Sequence, residues 1–292
     1  MENFLQRHLS KIISNNLQST ISSIEFHAAG GGSINYSYQI HVNNSKKFFC
    51  KINTAIAYPQ LFEKEKNGLL LLQKQNLIRV PHIIACEVFE EKQVLILEWI
   101  EQGLKTPSFW KSFGVQLAQL HGISNDRFGL HEDNYMGALQ QNNKPFSDWP
   151  AFFIHQRLEP QIRLSIEKKL LDHNHVDMFE KLYKKLPSLF SSEPSSLLHG
   201  DLWSGNFLCD ENSQPVLIDP AVYFGHRNMD LAMTTLFGGF DKSFYEAYQY
   251  YFHFPENYRQ QWDICNLYPL LIHLNLFGKS YLADILHTLK CY

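Results

Sequence analysis

Positive charge is not in excess: 26 Lys and Arg stand against 29 Asp and Glu, a formal net charge of −3. A surface that neutralises phosphate backbones needs the opposite balance, so nucleic acid is not an expected partner. Long apolar runs are absent as well. Stretches such as residues 69–72 fall far short of the roughly 20 residues that cross a bilayer, so no membrane span is expected. Cysteine is sparse. The five present, Cys50, Cys86, Cys209, Cys265 and Cys291, are odd in number and widely scattered, with no CxxC pair. That pattern excludes a disulfide framework or a zinc ribbon and fits reduced thiols in a cytoplasmic protein. Residues 1–18 are amphipathic rather than uniformly apolar, so no secretory signal is expected there. Internal repeats and low-complexity segments are also missing.

What remains is an ordinary globular composition, 45% hydrophobic and 19% charged, over 292 residues. That length suffices for the two lobes of one enzyme. The chemistry concentrates in residues 197–219. His199-Gly200-Asp201-Leu202-Trp203-Ser204-Gly205-Asn206 is followed by Val216-Leu217-Ile218-Asp219-Pro220. Residues 206–209 and 216–218 read as two strands joined by a turn at Asn212-Ser213. Such a hairpin brings Asn206 and Asp219 to one end, facing Asp201. Phosphoryl transfer needs this set: Asp201 to accept the proton of an attacking hydroxyl, and Asn206 and Asp219 to offer oxygens to a metal ion against the phosphates. Either fragment alone occurs by chance; the two in order, at hairpin spacing, are specific.

Upstream, a helix over 1–16 precedes strands over 23–29, 36–42 and 47–52. Gly30-Gly31-Gly32-Ser33 lies between the first two strands, where backbone N–H groups can approach a polyphosphate. A flexible turn is the commoner origin of such a run. Lys51 sits in an apolar strand and must either snorkel from an edge or meet an anion. A helix over 61–75 carries Glu63 and Glu65, both candidates to pair with it. Strands over 83–89 and 93–100 complete a five-stranded antiparallel sheet, and residues 98–103 leave it as polar chain. Helical patterns dominate from about residue 106: 109–120, closed by His121 as a C-terminal cap; 149–169; 176–186; 227–237; 240–252; and 258–281. His173 and His175 read as part of a solvated loop without a third metal ligand.

His199 to Asn206, the Asp219-Pro220-Ala221 variant, Phe224-Gly225-His226-Arg227 and Asp230-Leu231-Ala232-Met233 together resemble the fructosamine (ketosamine) kinase family. That family belongs to the protein-kinase-like group that also holds aminoglycoside phosphotransferases and choline kinases. The resemblance runs from Gly30 to about Tyr281. It implies an α+β bilobal fold: residues 1–100 as a nucleotide-binding lobe and 101–292 as a helical lobe with the catalytic loop and acceptor site. It implies ATP and Mg2+, with Gly30, Gly31, Gly32, Ser33 and Lys51 on the phosphates and the backbone of Glu98, Trp99 and Ile100 reading adenine. It selects Glu65 over Glu63 as the partner of Lys51. It makes Asp201 the base, Asn206 and Asp219 the metal ligands, Trp203 an acceptor contact, and His199 and Asp230 supports of the catalytic loop. The implied acceptor is a free or protein-bound ketosamine, phosphorylated on its C3 hydroxyl and thereby deglycated. Some family members carry a redox-active cysteine in the glycine loop; Ser33 stands there in this chain, so no such switch carries over. Phe152, Phe153 and Arg157 also resemble a family segment, without a legible role. Two rivals stay open at this point: a kinase for an aminoglycoside or choline-like acceptor, and a pseudokinase acting as a scaffold. Oligomeric state is not readable.

Overall fold

The computed structural model describes residues 3–18, 20–30, 34–43, 45–190 and 192–292. Helix α1 (Asn3–Leu17) is followed by β1 (Ile24–Ala28), β2 (Tyr36–Val42), β3 (Lys46–Thr54), α2 (Leu61–Gln75), β4 (Ile83–Phe89) and β5 (Lys92–Glu98). The five strands form one antiparallel sheet in the order β1-β2-β3-β5-β4. Alternation of side chains along a strand gives the sheet two faces. Ile40, Val42, Phe48, Cys50 and Ile52 pack against Leu5, Leu9, Ile12 and Ile13 of α1 as one cluster. The spacing of the α1 residues is that of an amphipathic helix, and each buried Leu or Ile contributes roughly 1.5–3 kcal/mol. The opposite face carries Lys47, Phe49 and Lys51 and turns toward α2 and the rest of the chain.

Beyond β5 the chain is mostly helical: α3 (Pro107–His121), α4 (Trp149–Phe152), α5 (Glu159–Glu167), α6 (His173–Leu189), α7 (Asn228–Leu236), α8 (Lys242–Tyr251), α9 (Tyr258–Phe277) and α10 (Leu282–Leu289). Short two-stranded antiparallel pairs intervene: β6 (Asn134–Met136) with β7 (Leu139–Gln141), β8 (Ser196–Leu198) with β11 (Tyr223–Gly225), and, between β8 and β11 in the chain, the hairpin of β9 (Phe207–Cys209) with β10 (Pro215–Leu217). This is the α+β arrangement expected from the sequence. The second core is continuous across it: Leu61, Phe62, Leu69 and Leu72 of α2, with Leu95 and Leu97 of β5, join the same cluster as the helices.

Three local expectations change. The pattern over 149–169 is not one helix; a π-helical turn, Phe153–Leu158, separates α4 from α5. His173 and His175 do not lie in a loop. Asp172 caps α6, its carboxylate accepting the His175 backbone N–H at 3.1 Å while His175 Nδ1 accepts the Asp172 N–H at 3.1 Å. That reciprocal capping box fixes the first turn. His121 is not a solvent-facing cap; Gly122 fills that position, and His121 is fully buried between α3 and α8. It falls one turn beyond Leu117 on the buried face of α3, so packing rather than the helix end decides its place. Among the described residues no helix is long and apolar enough to cross a membrane.

Candidate active site

The β9–β10 hairpin forms as its sequence requires, with Phe207 opposite Leu217 and the Ile218 N–H donating to the Asn206 carbonyl at 3.1 Å. It delivers Asn206 and Asp219 to one end. A cavity of about 490 Å³ opens there, and Lys51, Glu65, Asp201, Trp203, Asn206 and Asp219 all line it. Six of the residues singled out from the sequence therefore share one space.

Lys51 is buried, its Nζ 2.8 Å from Glu65 and 2.5 Å from Asp219. Burial alone would lower its pKa; the two carboxylates outweigh that and hold it above the ordinary lysine value. The ammonium is therefore charged and tied to both halves of the fold. Glu63, the other candidate, pairs instead with Lys66 at 2.6 Å. Helix α2 is itself anchored to the helical part: Glu132, ahead of β6, accepts from Lys64 at 2.7 Å and from Asn67 at 3.0 Å.

Asp201 sits half-buried in the loop after β8. Burial pushes its carboxyl up to about 7, opposed by the Asn206 amide and reinforced by Asp219 and Asp230. Asn206 donates Nδ2 to the Asp201 carboxylate and carbonyl, each at 2.9 Å, leaving its Oδ1 as an oxygen ligand. Two glycines make the loop possible. Gly200 has φ +84°, and a Cβ there would lie 2.0 Å from the Ala221 carbonyl oxygen. At Gly205 a Cβ would strike the Trp203 ring at 2.3 Å. Trp203 thus packs against Gly205, is 36% exposed and lines the cavity, rather than lying in a core.

Behind the loop lies its support. Asp230, at the start of α7, accepts the backbone N–H of His199 at 2.7 Å and of Gly200 at 2.8 Å. Its Oδ2 also meets His121 Nε2 at 3.2 Å, and His121 Nδ1 meets the Tyr248 hydroxyl at 2.8 Å. His199 Nδ1 accepts the Asp201 N–H at 3.2 Å, so its Nε2 carries the proton donated to the Ile218 carbonyl at 2.9 Å. Burial lowers the His199 pKa and keeps the ring neutral. One histidine thereby links the Asp201 loop to the strand end that presents Asp219.

The remaining sequence candidates lie elsewhere. Glu98, Trp99 and Ile100 are not among the cavity's lining residues; the Glu98 carboxylate accepts from Arg79 at 2.5 Å and from the His82 N–H at 3.1 Å. A Cβ built on Gly30 would meet nothing within 4 Å among the described residues, while Gly31, Gly32 and Ser33 lie outside them. The buried Asn53 side chain ties down the chain that follows them, donating to Asn35 Oδ1 at 2.6 Å.

Sequence reasoning missed two features. Arg79 also donates to the buried Asp210 at 2.7 Å, bridging β5 to the β9–β10 hairpin. Arg157, on the π-helical turn, is fully buried, and its hydrogen-bond partners among the described residues are carbonyl and amide oxygens rather than carboxylates. It donates to the Asn142 carbonyl, the Gln156 carbonyl and Asn143 Oδ1, and its guanidinium lies 3.9 Å from the Tyr223 ring centroid. Asn143 bonds Asn134, Gln141 bonds Asn134 and the Ala221 carbonyl, and Asn134 bonds the Val222 carbonyl. This network underlies the segment that follows Asp219. The sequence signals for it were the amide-rich run 140–143 and the Phe152, Phe153 and Arg157 segment, whose resemblance carried no legible role.

The family model for fructosamine kinase matches residues 5–292. A protein from Enterococcus faecium named as a probable ketoamine kinase is 37% identical over 259 residues, covering 87% of this chain and 90% of its own. The chloroplastic protein-ribulosamine 3-kinase of Arabidopsis thaliana is 34% identical, covering 91% of this chain and 81% of its own. Among solved structures, a Thermobifida fusca protein assigned to fructosamine-3-kinase is 30% identical and superposes with a TM-score of 0.86, covering 97% of both chains. The chain belongs to the fructosamine kinase family.

Proposed function

We propose that this protein is an ATP-dependent kinase that phosphorylates the C3 hydroxyl of ketosamines, ribulosamines in preference to fructosamines. The observation that carries the reading is the convergence of Lys51, Asp201, Asn206 and Asp219 on one cavity in a chain of this family. The relative named for ribulosamine supports the smaller acceptor and the 3-position. A lobe boundary near residue 100 follows, with residues 1–100 binding nucleotide.

The donor set fits magnesium. Asp219 offers a carboxylate and Asn206 an amide oxygen, both hard ligands, at the mouth of the cavity. Bound there, Mg2+ would neutralise phosphate charge during transfer. Lys51, held by Glu65, steadies the phosphates. Gly30 to Ser33 supply backbone donors, and the backbone of 98–100 takes the base. Asp201 accepts the hydroxyl proton; a carboxyl near 7 is poised for that at physiological pH. His199 and Asp230 hold the loop without touching substrate. Trp203 and Phe237, with ring centroids 5.8 Å apart, wall the acceptor end. Transfer through a loose transition state leaves positioning and charge as the protein's main contributions. Free or protein-bound ketosamines both present the required polyol and amine. A cytoplasmic setting is consistent with five free cysteines.

The test is incubation with Mg-ATP and ribulosyl-, erythrulosyl- or fructosyl-lysine, following ATP-dependent loss of the ketosamine. Consumption of ribulosyl-lysine is expected. Consumption of choline or an aminoglycoside alone would move the acceptor to the rival class; no turnover of any acceptor would leave a scaffold.

A further inference from the structure

Outside the lining of the cavity, the arms of the β1–β2 hairpin carry a second group of ligating side chains. Strand register sets Glu25 opposite His41, with His27 two residues along on the same face. This is the face that also bears Lys47 and Lys51. Glu25 Oε2 and His27 Nε2 are 3.3 Å apart. Two ligands each about 2.0–2.1 Å from a tetrahedral zinc ion lie roughly that far from one another. The His27 and His41 rings stand 4.7 Å apart, and one ligand atom from each of the three residues lies within 4.8 Å of the others. His41 Nε2 is shielded from solvent and has no hydrogen-bond partner among the described residues.

We propose that Glu25, His27 and His41 form a binding site for a zinc-class divalent cation on the outer part of this hairpin. The ligand set decides the class. Two imidazoles and one carboxylate suit zinc and its neighbours, whereas magnesium demands an all-oxygen shell. The neighbouring groups permit a cation. Gln39, opposite His27, is neutral, and Lys47, opposite His41, is held 2.6 Å from Glu101. The Glu25 and His27 side chains are 61% and 51% exposed, so their rotamers can close the remaining distance. Coordination at three protein positions leaves the rest of the shell to water, which makes the site exchangeable rather than structural. It would also fasten β1 to β2.

The site is independent of the kinase reading, and so is its test. Titration calorimetry with Zn2+ alone, without nucleotide, should show one ion bound per chain, and Zn2+ should raise Tm where equal Mg2+ does not. His27→Gln and His41→Gln should each weaken binding by more than the roughly 10–100-fold that follows loss of an outer-shell partner. Unliganded Tm should match wild type in His27→Gln, whose side chain is half exposed. Absence of Zn2+ binding in the wild type would overturn the proposal. So would binding that survives in the His27→Gln/His41→Gln double variant, since other histidines would then be responsible.

Discussion

Lys51 and Arg157 are both cations removed from water, 3% and 0% exposed, yet they are held in opposite ways. Lys51 meets two carboxylates, one of which, Asp219, is 37% exposed on the cavity. Arg157 meets carbonyls, an amide and aromatic faces. The difference separates a group that can change partners from one that cannot. In the proposed mechanism Asp219, on the cavity wall, exchanges Lys51 for a cation while Lys51 turns to phosphate. Main-chain carbonyls under a hairpin offer no such exchange. A buried charge solvated by fixed dipoles is a structural device, whereas the proposed mechanism gives a working role to the buried charge shared between Glu65 and the partly exposed Asp219.

Replacing each cation by methionine should break that comparison or sharpen it. Lys51→Met should lower kcat about 10²–10³-fold, the usual loss on removing one charge-stabilising group. The fold should survive, as circular dichroism would show. Arg157→Met should act mainly on stability. Unsatisfied acceptors at Asn142 and Asn143 cost about 3 kcal/mol together, a Tm fall of roughly 6 °C. If instead Arg157→Met kept its Tm and lost turnover alone, the two cations would not differ in kind.

Asp230→Asn should fall between these cases. It removes a charged acceptor shared by the His199 and Gly200 amides, worth about 1.5–3 kcal/mol, without touching substrate. A drop in both Tm and kcat with unchanged ATP affinity is expected; a purely thermal effect would leave catalysis indifferent to the loop's support. The Lys51–Glu65 contact should appear as coupling of about 0.5–3 kcal/mol in a double-mutant cycle. Additive effects there would mean that Glu65 does not orient Lys51.

The smallest effect concerns pH. Asp201 must be ionised to accept a proton, and burial holds its carboxyl near about 7. The kcat/KM profile of the free enzyme should therefore rise with pH through about 7 and be lost below it. Asn206→Ala removes the amide that lowers this pKa, so the limb should move upward. A limb near an ordinary carboxylate value would put Asp201 in water.

Lys51 was legible because a lysine in an apolar strand has few explanations, and Asp201, Asn206 and Asp219 because their spacing is itself the motif. The strands and α2 followed from alternation and helical spacing, which are local properties. Arg157 was not legible because its partners, residues 142, 143 and 223, are distant in sequence and mostly main-chain or aromatic, and such groups leave no charge complement to search for. His121 failed as a cap for a related reason: its place is set by Tyr248 and Asp230 from other helices, not by the end of its own. Arg79 was not legible either, because its partner Asp210 is 131 residues away and is brought beside it only by the hairpin.

The most direct test of the account is phosphorus NMR of ribulosyl-lysine incubated with Mg-ATP and either wild type or Asp201→Asn. Wild type should produce a ketosamine 3-phosphate, while Asp201→Asn should bind Mg-ATP normally and form product about 10²–10⁴-fold more slowly. Phosphate at another hydroxyl, or equal rates from the two proteins, would contradict it.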